Sequence, residues 1–120
     1  GTSLPEGCTA LGWGRPLMGR KQDDPPNTKL EPPPVAWIKN WQTSSGQSAR
    51  VFHSTMGSAT DLQNAGLRRL ILNAVYWCLA MEPTISANSS VEIVGTYQPL
   101  ENGFNYEKLG VKARAVSDYR

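Results

Sequence analysis

"ARVFHSTMGSATDLQNAGLRRLILNAVYWCLAM", residues Ala49 to Met81, decides the fold class, because it reads as a strand that turns through a Gly-Ser loop into a long helix. Val51 and Phe52 are β-favouring residues in a short run that closes at Gly57. Thr60-Asp61-Leu62-Gln63 has the form of a capping box, which predicts a helix from Asp61 to Met81 with Asp61 at the positive end of its dipole. Within it Leu67, Leu70, Ile71, Ala74, Cys78 and Met81 recur at three- and four-residue steps, a single apolar stripe with Trp77 beside it. Gln63, Arg68, Arg69 and Asn73 take the other side, where arginines could bind a phosphate or carboxylate but are ordinarily solvated or paired at the surface. Leu72, Val75 and Tyr76 widen the stripe beyond what a surface helix needs, so a second covering layer is expected.

Upstream, "PVAWIKNW" gives a strand over Val35–Trp41, with Val35 and Trp37 on one face and Ala36 and Ile38 on the other. The polar loop "QTSSGQS" joins it to the strand at "ARVFHST", which predicts an antiparallel hairpin. Earlier, "CTALGWGRPLMG" holds strand-like residues from Thr9 to Leu17 that Gly12, Gly14 and Pro16 interrupt. "RKQDDPPNTKLEPPP" reads as an extended surface connection. After the helix, Pro83 ends the pattern, "SVEIVGTY" predicts one more strand near residues 90–97, and the residues from Pro99 read as an irregular tail.

The composition excludes several classes. A chain of 120 residues is enough for one core, and its net charge of +2 is scattered without a basic, aromatic-interleaved stripe, so no nucleic-acid partner is expected. No run approaches the roughly 18 apolar residues of a membrane span. Cys8 and Cys78 read as two separate small buried residues rather than a disulfide, and with His53 the only histidine no metal site has the required ligand spacing. "NSS" at Asn88 has the form of a glycosylation sequon and no more.

The block "PVAWIKNW…ARVFHSTMGSATDLQNAGLRRLILNAVYWCL", Pro34 to Leu79, resembles the C-terminal part of the ThuA-like, or trehalose-utilisation, family. The shared features are a Pro-Val-Ala-Trp strand, an Arg-Val-Phe strand ending in a glycine dipeptide, and a helix with an Arg-Arg-Leu…Asn-Ala…Tyr-Trp core. "LPEG…DDPP" before it and "SVEIVGTYQP" after it resemble the version in exported proteins of planctomycete-type bacteria, which favours an exported or periplasmic location.

The resemblance implies an α/β fold, namely the C-terminal portion of a class I glutamine-amidotransferase-like, or flavodoxin-like, three-layer sandwich. It would comprise a β-hairpin, one long helix and an extended tail. Residues 1–82 would then be the partial domain and 83–120 a C-terminal extension. It further implies sugar or keto-sugar metabolism or binding in a longer protein, with no cofactor. In the amidotransferase relatives the nucleophile elbow lies in the N-terminal half, so the chain alone is expected to be inactive, and its partner is that half or another subunit. Family members end the second strand with Gly-His, whereas here Gly57 is followed by Ser58, which removes one general base or metal ligand.

Open α/β sheets bind ligands beyond the carboxyl ends of their strands, beside helix N-termini. That rule selects Thr55, Gly57, Ser58, Asp61 and Asn64 as the ligand-binding residues of the junction, with Trp13 and Trp41 as further sugar-stacking surfaces. The competing expectation is a non-catalytic structural or interaction module of a larger exported protein, in which Thr60 and Asp61 only cap the helix, Ser58 only turns the chain and Asn64 faces water.

Overall fold

In the computed structural model, which describes residues 3–100, 110, 112 and 115–119, a three-stranded antiparallel sheet carries one α-helix. The strands β1 (Cys8–Trp13), β2 (Pro34–Gln42) and β3 (Ser48–Ser54) lie in sequence order, and α1 (Ala65–Cys78) follows. The chain is thus a small mixed α/β structure. β2 and β3 form the expected hairpin in unbroken register from Ala36↔Ser54 to Gln42↔Ser48. The Thr43 hydroxyl organises its turn, accepting from the Gln47 N–H at 3.1 Å and contacting Ser45 Oγ at 2.8 Å. β1 is a real strand despite its glycines. It pairs Cys8 with Lys39 and Ala10 with Trp37, then shifts register on either side of Gly12. Such a bulge absorbs the irregular sequence without ending the strand.

Alternation separates the two sheet faces. Ala36, Ile38, Arg50 and Phe52 face α1, while Trp37, Lys39, Trp41, Val51 and His53 face away. Only Ala36, Leu67 and Ala74 count as buried apolar residues among those described. Val75, Leu79 and Met81 on the widened stripe are open, and so are Trp41 and Val51 on the far face. The accessible surface, 10030 Å² for 13.1 kDa, exceeds the roughly 6,400 Å² of a compact protein of this mass.

The helix starts later than the capping box predicts. Thr60 makes no side-chain cap bond, Asp61–Gln63 form a 3₁₀ turn, and Asn64 is the true N-cap, its Oδ1 accepting from Leu67 N–H at 3.1 Å. Thr60 fails because its own backbone is already helical (φ −70°, ψ −30°), whereas Asn64 has the extended conformation from which a cap side chain reaches the first turn. The helix also ends before Met81, in a Schellman motif. Met81 N–H donates to Tyr76 O at 2.8 Å, and Ala80 N–H to Trp77 O at 3.1 Å. Ala80 holds the left-handed position at φ 58°, where glycine is usual.

The strand expected near residues 90–97 does not form, for these residues join neither sheet edge. Two arginines capture the segment after the helix instead. Arg68 Nε donates to Val91 O at 2.6 Å, and its Nη1 to Leu62 O and Gln63 O at 2.8 and 2.9 Å. Arg69 Nη1 donates to Ser89 O at 2.7 Å and Ser86 O at 3.3 Å. The segment is strapped along α1 by side chains, so of the two expected fates, solvation and pairing, both arginines take pairing, with backbone carbonyls as the partners. Of the tail from Pro99, residues 101–109 lie outside the described residues, and Val116–Tyr119 make a short 3₁₀ turn.

Candidate functional site

The loop from β3 to α1 is built on Asp61. Its Oδ2 accepts from Ser58 N–H at 3.0 Å and Gly57 N–H at 3.2 Å, closing the loop back on itself. Gly57, at φ 135°, adopts a conformation that side-chain-bearing residues rarely reach. Sequence reasoning treats Asp61 as a charge at the helix end; the structure makes it the staple of the loop before the helix. Ser58 Oγ meets Thr60 Oγ1 at 3.2 Å, and Tyr97 Oη donates to Ala59 O at 2.5 Å, tying the later segment to the same loop.

The five predicted residues divide into two groups. Asp61 and Asn64 line a depression of about 470 Å³ together with Met56, Gly66, Leu67 and Leu70. Thr55, Gly57 and Ser58 do not line it. Thr55 belongs to the sheet end, its N–H and hydroxyl both donating to Val35 O at 2.9 and 3.3 Å. The depression therefore has two polar groups on a mainly apolar wall, and each already accepts a backbone hydrogen bond. Met56 and Leu70 are the wall residues that a search for polar side chains passes over. The spacing of Leu70 three positions after Leu67 is the signal that places it there.

His53 lies on the face away from α1, exposed and stacked on Trp37 with ring centroids 4.7 Å apart and planes 17° from parallel. It stands across the sheet from the helix-facing residues and takes no part in the junction. Trp13 and Trp41 are 62% and 51% exposed, and Lys39 Nζ covers the Trp41 ring at 5.4 Å. Among the described residues no group of histidine, cysteine or acidic side chains has the arrangement of a metal site. Cys8 and Cys78 are free thiols, and the expectation that both are buried is corrected: Cys8 is half-buried and Cys78, in the last turn of α1 where the sheet no longer covers the helix, is exposed.

A second depression, about 660 Å³, opens where the hairpin end meets the helix C-terminus, lined among others by Asn40, Gln42, Ser48, Arg50 and Cys78. Arg50 is its organising residue, and helical periodicity gives no hint of it. Its Nη1 donates to Trp77 O at 2.7 Å and pairs with Glu82, and its guanidinium lies 5.3 Å from the Trp77 ring centroid. Strand alternation carries the available signal, since Arg50 shares the helix-facing side with Phe52. The Glu82 carboxyl is held below its ordinary value of 4.5, by its own backbone N–H first and by the Arg50 guanidinium second.

No helix among the described residues is long and apolar enough to cross a membrane. No protein-family model, curated protein or solved structure matches this chain.

Proposed function

We propose that this chain is the C-terminal portion of a ThuA-like α/β domain that, when complete, binds or transforms a sugar or keto-sugar derivative. The Asp61–Asn64 depression forms one wall of the ligand site. The observation that carries this reading is the juxtaposition at the β3–α1 junction of a carboxylate and a carboxamide with the apolar wall of Met56, Leu67 and Leu70. A sugar offers matching chemistry, hydroxyls for the polar pair and a C–H face for the wall. The finer fold assignment, a flavodoxin-like three-layer sandwich, is supported by two features. Wide, mostly parallel sheets commonly carry antiparallel strands at an edge. The sheet face bearing Trp37, Val51 and His53 also lacks a covering layer among the described residues.

A second reading, a non-catalytic interaction module of an exported protein, draws support from the way the junction uses its polar groups. Asp61 Oδ2 and Asn64 Oδ1 are both engaged by backbone N–H groups, and Ser58 stands where the family resemblance would place a histidine. Titration calorimetry of the longer protein that carries this sequence, against trehalose, other disaccharides and their keto derivatives, separates the two. Saturable binding that Leu70→Glu abolishes, with the circular dichroism unchanged, supports the sugar site. Absence of binding by a folded protein leaves the interaction module.

A further inference from the structure

The two edges of the sheet are treated differently by the sequence. β1 is bulged at Gly12 and runs into Gly14 and Pro16, devices that spoil an edge for pairing. β3 has no bulge, no proline and no lysine, and its register with β2 is unbroken over seven pairs. Thr55 N–H donates to Val35 O and Thr43 N–H to Gln47 O, which fixes the odd-numbered residues of β3 as those whose backbone groups point at β2. By antiparallel alternation the N–H and C=O groups of Ser48, Arg50, Phe52 and Ser54 point out of the sheet. Among the described residues no other backbone segment pairs with them.

We propose that β3 pairs with β3 of a second copy of this chain, antiparallel about a two-fold axis at Val51, to form a continuous six-stranded sheet. Charge excludes one register, and the exposed, β-branched Val51 selects among the rest. An axis at Arg50 would set one guanidinium against the other, whereas an axis at Val51 sets Arg50 opposite the second copy's Phe52 and Val51 opposite its own equivalent. It also matches outward-pointing residues with outward-pointing residues, as a ladder requires. Val51 is 40% exposed and β-branched, a side chain well suited to facing its own equivalent across strands.

A two-fold axis normal to the sheet keeps both helices on one face. It brings together two apolar troughs, each lined by Phe52, Ile71, Ala74, Val75, Cys78 and Leu79 and containing no residue of β1 or β2. The inference takes the β3 edge, so the wider sheet of the sugar reading would have to continue from β1, while the Asp61–Asn64 depression itself is left free.

Sedimentation velocity and a disulfide trap test it on the full 120-residue chain. The expected species has twice the 13.1 kDa of one chain, and Val51→Lys, which sets two ammonium groups face to face, weakens its dissociation constant about tenfold or more. In a Cys8→Ser, Cys78→Ser background, Val51→Cys oxidised with diamide is expected to give a covalent dimer, since directly opposed strand residues lie within disulfide reach. Thr43→Cys, out in the hairpin turn, is expected to give far less. A folded monomer at all concentrations overturns the proposal. So does crosslinking of the Val51→Cys variant no greater than that of Thr43→Cys, which includes the case of a dimer built through another surface.

Discussion

Arg50 binds Trp77 twice: its Nη1 donates to the Trp77 carbonyl at 2.7 Å, and its guanidinium lies 5.3 Å from the centroid of the same residue's indole. One side chain from the middle of the edge strand thereby caps the helix C-terminus, where a cation also suits the dipole. Charge-assisted hydrogen bonds contribute more than neutral ones. Arg50→Ala is expected to destabilise the chain by about 1.5–3 kcal/mol in a urea melt. Arg50→Lys is expected to recover only part of that, because an ammonium cannot both lie flat on the indole and reach the carbonyl.

The partner carboxylate sets an acid limit. Because the Glu82 carboxyl is depressed in the folded state, its contribution is complete above the ordinary value of 4.5 and is lost as pH falls through the lower folded value. Wild type is expected to lose stability below that point more steeply than Glu82→Gln. Melting temperatures of the two proteins between neutral and strongly acidic pH provide the measurement, and parallel curves would remove Glu82 from the account.

The arginines of the helix flank act as straps. Arg68→Ala releases the carbonyls of Val91, Leu62 and Gln63 at once, with an expected cost of about 1.5–3 kcal/mol, where an ordinary surface change stays within about 0.5 kcal/mol. Amide exchange is expected to quicken between Ser86 and Ser89 in Arg69→Ala, because the Arg69 guanidinium holds both carbonyls. A near-neutral Arg68→Ala would return that side chain to solvent.

Capping moves with the observed helix start. Asn64→Ala is expected to cost about 0.5–2 kcal/mol, and Thr60→Ala clearly less, by denaturant melts of the two variants. The reverse order would restore the capping box.

At the other end of the helix, Ala80→Gly is expected to stabilise the chain by about 0.5–1 kcal/mol. The left-handed conformation at φ 58° costs alanine about 1–2 kcal/mol, more than the unfolded chain gains in freedom from the glycine. A lowered melting temperature in that variant would count against the Schellman assignment.

The amino-acid sequence by itself determined the β2–β3 hairpin, the helix and the Leu67, Leu70, Ile71 and Ala74 part of its apolar stripe, because alternation and three-to-four spacing are local signals that each strand or turn carries within itself; Cys78 and Met81, assigned to the same stripe, are exposed. Asp61 and Asn64 were legible as junction residues for the same reason: both lie where a strand gives way to a helix. Only the tertiary structure decided what the polar groups do there. Asp61 turns back to Gly57 and Ser58 and Asn64 takes the cap from Thr60, since backbone conformation at each position fixes which side chain can reach which N–H. The fate of residues 90–97 was likewise beyond reach. Their alternation suits a strand, but their neighbours are Arg68 and Arg69, and a guanidinium reaching carbonyls about 20 residues along the chain leaves no period to read. Arg50 joins Trp77 across 27 positions in the same manner, a contact that exists only once the helix has folded back against the edge strand.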